Sequence, residues 1–425
     1  MIELSENVKN VLNRFAQNGF FACIGGESVR DLIMKNIPAS YIILTDAPKE
    51  FVRSVFKNTA LSRKNSVSVI EDKAVFEIYC SQNKDNEHDL LSGFDFTVNS
   101  IGYSPLWGFI DPFGGINDLE EKQIRFAGEV TKNPELMLKA VRYCALLDFE
   151  ISDDAKQLIK KYSPLAKYIR SDIIREELEK ILISENPKQI ITLQRLGLLK
   201  YIMSELDICF SIEQRNKYHI YNVGEHIVNA VCAVKNDLVL RWAALLHDIG
   251  KPECKSVDSN GIIHFYGHHK ASSRIANEIL RRFKTDGRVI RDVIILIENH
   301  DVRIEPSLPE VKQMMSRTGA ELFLKLIDLQ EADNRAKNPK YFADKQNKLN
   351  EVRAIYRTVI SERQPYRVSD LAIGTRDLSR LGFRTGHEIS QTLKKLLDEV
   401  LIDPQLNRYE YLIMRAKHYK KTHII

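Results

Sequence analysis

From about Glu129 to the end of the chain, apolar residues recur every three and four positions, in runs such as "PELMLKAVRYCALLDF", "SDIIREELEKILI" and "PKQIITLQRLGLLKYI". A stripe of that period suits amphipathic helices packed on one another. The residues before it read differently. "FFACIGG", "SYIIL", "SVSVIE", "AVFEIYC" and "FTVNSIGY" are short β-rich runs separated by loops and preceded by an opening helix, which is an α+β pattern. The expected fold is an α+β head, a mixed sheet with helices, followed by an all-α body. After Tyr103 only "GIIHFYG" reads as a strand, and "NPKYFADKQN" and "SERQPYRVSD" read as loops around a linking helix. No apolar run approaches the roughly 20 residues of a membrane span, and "MIELSENVKN" holds no apolar signal segment. The cysteines (Cys23, Cys80, Cys144, Cys209, Cys232, Cys254) lack paired spacing, which argues for reduced thiols. These features predict a cytoplasmic protein without a membrane partner.

Within the head, "CIGGESVRDL" sets Gly25 and Gly26 after an apolar strand and before a helix carrying Arg30 and Asp31. Glycines at such a turn let backbone N–H groups approach a phosphate, and the arginine adds positive charge. That turn, followed in order by "FDFTVNSIGY", "GFIDPFGGINDLEEKQIRFAG", "LKAVRYCALLDFEI" and a C-terminal "DLAIGTRDLSRLGFRTGHEI", resembles the bacterial CCA-adding enzymes, the tRNA nucleotidyltransferase and poly(A) polymerase family. The resemblance covers nearly the whole chain and includes an HD domain.

The departures from that family carry the functional reading. In the family the strand after the phosphate turn carries Asp-x-Asp. Residues two apart on a strand share a face, and two carboxylates there can hold the Mg²⁺ pair of nucleotidyl transfer. The matching positions here are Ser40 and Ile42; neither carries charge, a hydroxyl is a poor Mg²⁺ ligand and an isoleucine is none. The family's Arg-Arg-Asp-Phe-Thr is Gly93-Phe94-Asp95-Phe96-Thr97, leaving only Asp95 of its polar trio. The base-reading Glu-Asp-x-x-Arg is Lys132-Asn133-Pro134-Glu135-Leu136, and one extra residue lies between Gly26 and Val29. Asp111, Gly114, Gly115 and Asp118, which look structural, are retained. Asp46, with Asp31 or Glu77 nearby, could in principle supply relocated carboxylates. Gly25, Gly26, Arg30 and Asp95 remain as a degenerate nucleotide- or phosphate-binding set.

Seven of the eleven histidines fall between His219 and His300, and histidine is a leading ligand of transition metals. His226, His247-Asp248, His268, His300 and Asp333 follow one another as in the HD phosphohydrolases. His226, His247, Asp248 and Asp333 are expected to hold one metal, and Asp248, His268 and His300 a second. Two bridged ions can activate a water and clamp the phosphate it attacks. Asp248 is the expected catalytic bridge, and Lys251, one turn beyond His247, a phosphate-holding cation. An all-His/Asp set admits Mn, Fe, Ni, Co, Zn or Mg. His264 and His269 read as structural, and His219 as a contact outside the ligand shell.

Basic residues crowd Lys270–Arg291 and the last turns, and Arg376, Arg380 and Arg384 surround a turn at Gly382 and Gly386. Such patches attract phosphate backbones. The expected organisation is a nucleotidyltransferase-like head (1–128), a helical neck (129–205), an HD metal-phosphohydrolase domain (206–340) and an RNA-binding-like helical tail (341–425). The resemblance implies nucleotide and RNA partners, a tRNA or another RNA 3′-end. The leading expectation is a metal-dependent phosphohydrolase with a head retired from nucleotide addition. The alternatives are an active nucleotidyltransferase with relocated carboxylates and a non-catalytic RNA- or nucleotide-binding regulator. The sequence leaves oligomeric state open.

Overall fold

The computed structural model describes residues 2–61, 66–80, 90–214 and 220–422, and the chain divides into two compact units, Met1–Ile202 and Met203–Ile425.

The first unit is built on a seven-stranded mixed sheet. Its strands are β1 (Ala22–Gly25), β2 (Tyr41–Thr45), β3 (Thr59–Leu61), β4 (Ser66–Glu71), β5 (Ala74–Cys80), β6 (Gly102–Ser104) and β7 (Gly108–Ile110), in spatial order β3-β4-β5-β2-β1-β6-β7. Only β2 and β5 run parallel, and the other neighbours are antiparallel. Register sets Ile42 opposite Gly25 on one side and Glu77 on the other. The opening helix Glu6–Gln17 buries Val8, Val11, Leu12 and Phe15, spaced at three and four as one helix face requires. Helices follow from Leu136, beginning with Leu136–Leu147, Asp153–Tyr162 and Ser171–Leu182.

The run "FTVNSIGY" is not one strand. Thr97–Asn99 forms a 3-10 turn and only Gly102–Ser104 pairs into the sheet. Thr97 is held there because its hydroxyl donates to Asp118 at 2.6 Å, while Arg125 donates to the other oxygen at 2.8 Å. The backbone N–H groups of Gly115 and Ile116 donate to Asp111. A Cβ on Gly115 would lie 2.0 Å from the Thr97 carbonyl oxygen. Gly115→Ala is therefore expected to destabilise the chain by about 3 kcal/mol, the upper range of overpacking. Urea denaturation would check this, and an unchanged midpoint would contradict it.

The second unit is helical. Val223–Ala233, Leu238–Leu246, Gly287–Asn299 and Ala320–Arg335 pack together, with Trp242, Leu246, Leu296 and Phe323 fully enclosed. "GIIHFYG" contributes a two-residue strand, Ile263–His264, paired with Ser256–Val257. "NPKYFADKQN" is only partly loop, because the helix Phe342–Ser361 begins within it. No helix among the described residues is long and apolar enough to cross a membrane.

Candidate functional site

Every helix of the second unit's core delivers one or more polar side chains to a common point. His226 sits in the first turns of Val223–Ala233, which Asn222 caps by accepting from Glu225 N–H. His247 and His300 are the C-cap residues of Leu238–Leu246 and Gly287–Asn299. Helix C-termini favour cationic partners through their dipoles. His268 opens the helix His268–Arg282, and Asp333 lies near the end of Ala320–Arg335. The six sequence-predicted side chains converge as two groups sharing Asp248, namely His226, His247, Asp248 and Asp333, then Asp248, His268 and His300.

The imidazole orientations are set by the backbone. Nδ1 of His247, His268 and His300 faces the carbonyl three residues earlier, at 2.8, 2.9 and 2.7 Å. Nδ1 of His226 faces the Ala336 carbonyl at 3.1 Å. A carbonyl only accepts, so each Nδ1 must carry its proton, and a neutral ring then presents the Nε2 lone pair inward. Those lone pairs meet carboxylates. Asp248 Oδ2 is 3.2 Å from Nε2 of both His226 and His247. Asp248 Oδ1 is 3.2 Å from His268 Nε2 and 3.8 Å from His300 Nε2. Asp333 Oδ1 lies 3.0 Å from His226 Nε2 and 3.6 Å from His247 Nε2.

Acceptor facing acceptor in a buried site is unfavourable unless a proton or a metal cation stands between them. The approach of His247 Nε2 is not aligned as a hydrogen bond, so this buried nitrogen has no such partner. Burial pulls the His247 imidazole down, yet the charges of Asp248 and Asp333 outweigh it and raise its pKa to about 9. His300 is pushed down to about 3 by burial and by positive charge on His247. Burial opposes ionisation of Asp248 and Asp333, but His247 and Lys251 around the first, and Lys337 beside the second, hold both well below the usual carboxylate range. Without a metal, a proton on His247 stands between that ring and the carboxylates; a divalent ion taking its place would meet two carboxylates and the inward Nε2 atoms, and the set fits such ions.

Lys251 is buried, with Nζ 2.6 Å from Asp248 Oδ2 and donating to Gln214 Oε1 at 2.8 Å. Its ammonium thus rests on the bridging carboxylate. Lys337, which the sequence reading passed over, makes the equivalent contact to Asp333 Oδ2 at 2.5 Å. Its only signal was position, one helical turn after Asp333. His264 pairs with Asp258 at 2.9 Å, His269 lies outside both groups, and His219 falls outside the described residues.

The first unit offers a cavity of about 640 Å³ lined by Glu27, Ile42, Phe94, Asp95, Lys139 and Tyr143 among others. Gly26 has φ +66°, and a Cβ there would meet the Phe94 ring at 2.6 Å and the Ile42 Cδ1 at 2.9 Å. The expected phosphate turn is thus covered by apolar side chains, which pack with Leu44, Leu90 and Leu91. Arg30 is engaged by Asp31 and Asn99, and Asp95 by Lys139 at 2.6 Å. Glu27 accepts from the Tyr143 hydroxyl, setting a carboxylate on the wall of this cavity.

Asp46 lies beyond the end of β2, accepts from Phe21 N–H at 2.8 Å, and lines a different cavity beside Trp107. Glu77 accepts from Ser66 and Ser68. Among the described residues, the head brings together no group of three potential metal-ligating side chains. Of the basic run Lys270–Arg291, Arg274, Arg282 and Arg291 are in ion pairs. Arg376, Arg380 and Arg384 are exposed.

Three family models match the chain. They are the poly A polymerase head domain over residues 22–125, a probable RNA and SrmB-binding site of polymerase A over 148–209, and the HD domain over 217–338. An A-adding tRNA nucleotidyltransferase of Deinococcus radiodurans is 28% identical, over 74% of this chain and 75% of the relative. A multifunctional CCA protein of Nitrosospira multiformis is 27% identical, over 65% of this chain and 71% of the relative. The crystal structure of the Bacillus stearothermophilus CCA-adding enzyme with CTP aligns with TM-score 0.72 at 18% identity, covering 98% of both chains. The Thermotoga maritima CCA-adding enzyme complexed with tRNA aligns with TM-score 0.61 at 18% identity, covering 97% of this chain and 95% of that one.

Proposed function

This chain belongs to the tRNA nucleotidyltransferase and poly(A) polymerase family and carries an HD domain, and from that premise we propose that it hydrolyses phosphate esters at the HD histidine–aspartate cluster. The observation that carries this reading is the convergence of four inward Nε2 atoms on two buried carboxylates. Divalent ions bound there would supply Lewis acidity and an activated water. Asp248 would bridge, His226, His247 and Asp333 would complete one ligand set, and His268 and His300 the other. Lys251 and Lys337 hold the two carboxylates in their ionised, ligating form, and Lys251 would turn toward the phosphate as negative charge grows on it. The substrate class is a nucleotide, a 2′,3′-cyclic phosphate or an RNA 3′-end.

In the same reading the head (1–128), neck (129–205) and tail (341–425) serve binding rather than catalysis, with RNA as partner. Support comes from solved relatives that hold tRNA or CTP and from the exposed Arg376, Arg380 and Arg384. A second reading, nucleotide addition by the head, is favoured by the Deinococcus radiodurans relative, which is named an A-adding tRNA nucleotidyltransferase. Against it stand Ile42 and Phe94 on the Gly26 turn and the carboxylate of Glu27.

The test is phosphate release from 2′,3′-cyclic AMP, adenosine monophosphates and p-nitrophenyl phosphate with Mn²⁺, Ni²⁺ or Mg²⁺. Turnover with at least one metal and none after chelation is expected, and silence with all three would refute the reading. Chelation is also expected to lower the melting temperature. A metal at 100 times its Kd stabilises by about 2.7 kcal/mol, which corresponds to a loss of roughly 5–10 °C for a unit of this size.

A further inference from the structure

Beside the metal cluster lies a cavity of about 340 Å³ that nothing in the hydrolytic reading requires. His300 and Asp333 are among its lining residues, and its cationic ones are Arg303, Lys337, Lys345 and Lys348, of which Arg303, Lys345 and Lys348 are exposed. The opposing charges are Asp301 and Asp333, and Asp333 is already shared between Lys337 and the histidines. Lys348 reaches Glu305 at 3.1 Å.

The loop bearing Asp301 and Arg303 follows directly from His300 and is pinned where Gln330 Nε2 donates to the Val302 carbonyl at 2.8 Å. Gln330 stands on the same helix as Asp333, so cavity and cluster share one support. Partial burial and the neighbouring Lys337 ammonium hold Lys345 below its ordinary pKa. Like charges crowded in this way are relieved by an anion.

A monoester phosphate at the cluster would be met by metals and by Lys251, leaving this basic cavity to one side. We propose that the cavity is a second anion subsite, in which Arg303 and Lys345 select substrates carrying a further phosphate next to the one hydrolysed. This rests on the hydrolytic reading above and deepens it. Two sources offer that chemistry, a nucleotide with a 5′-phosphate and an RNA 3′-end with its upstream phosphodiester.

The experiment compares adenosine 2′,3′-cyclic phosphate with its 5′-phosphorylated form and with a dinucleotide ending in a 2′,3′-cyclic phosphate. Wild type is expected to prefer the substrates with a second phosphate by about tenfold in kcat/KM, carried by KM and not by kcat. The larger preference of the two identifies the source. Arg303→Gln with Lys345→Gln is expected to bring that ratio to within about twofold, while Arg303→Lys with Lys345→Arg keeps it. A ratio near one in wild type, or one that survives both glutamines, overturns the subsite.

Turnover of p-nitrophenyl phosphate reports separately on the hydrolytic reading. If that activity is present and the ratio is flat, the subsite alone fails. If no substrate is turned over, the hydrolytic reading fails, and calorimetric titration of adenosine 3′,5′-bisphosphate against adenosine 3′-monophosphate in Mn²⁺ decides the subsite. Tighter binding of the bisphosphate supports it, and equal affinities overturn it.

Discussion

Asp248→Asn will lower phosphate release by about 10³-fold or more, on the order of 4 kcal/mol of transition-state stabilisation. Both oxygens of this one carboxylate are committed, Oδ2 toward His226 and His247 and Oδ1 toward His268 and His300. An amide keeps the volume but turns one oxygen into a donor and removes the charge. Both ligand groups then lose their shared member, so bound metal measured by atomic emission should fall with activity. Asparagine is the informative change because its amide oxygen can still accept from the buried Lys251 ammonium, whereas alanine would leave that ammonium with no acceptor at this position, a loss of about 3–5 kcal/mol in stability. Normal activity in Asp248→Asn with a normal melting curve would remove the cluster from the chemistry.

The second large effect is a failure to restore. Replacing Ser40 and Ile42 by aspartate returns the missing carboxylates, yet the double variant is expected to add no nucleotide to RNA. On the proposed reading, metal-ligand oxygens are only part of what the head lacks. Phe94 covers Gly26, Glu27 occupies the turn, and Arg30 is spent on Asp31 and Asn99. The new charge at position 42 would also enter the apolar cluster of Leu44, Leu90, Leu91 and Phe94, costing about 1–3 kcal/mol of stability. Incorporation of labelled CTP or ATP by this variant would show that two carboxylates were the whole deficit.

The candidate site was legible in proportion to how much chemistry a residue type carries. Histidines and aspartates at HD spacing could be read as one group without knowing where each helix turned. Ser40 and Ile42 could be read as departures from the family's carboxylate pair because a hydroxyl ligates Mg²⁺ poorly and an isoleucine not at all. Lys337 and Gln214 were invisible, since a lysine on a helix and a glutamine in a loop have many solvated uses, and only the fold brings them to Asp333 and Lys251. Asp46 shares strand parity with Ser40 and Ile42 in the sequence, but β2 ends at Thr45 and the Asp46 carboxylate accepts from Phe21 N–H.

The fold was legible where periodicity had room to repeat. The long helices and the strands before residue 81 show it. Gly108–Ile110, Gln123–Ile124 and Glu150–Ile151 are strands of two or three residues, too short for alternation to register. "FTVNSIGY" bends because Thr97 serves Asp118, a long-range partner that no local pattern announces.

The proposed function places the chain's chemistry in the HD cluster and not in the head. Its most direct test incubates wild type and Asp248→Asn with tRNA lacking its 3′-terminal CCA, labelled CTP and ATP, and Mg²⁺ or Mn²⁺, beside phosphate release from 2′,3′-cyclic AMP. The account predicts release by wild type alone and incorporation by neither. Incorporation by both proteins would contradict it and make the head, with Ile42 and Phe94 in place, a working nucleotidyltransferase.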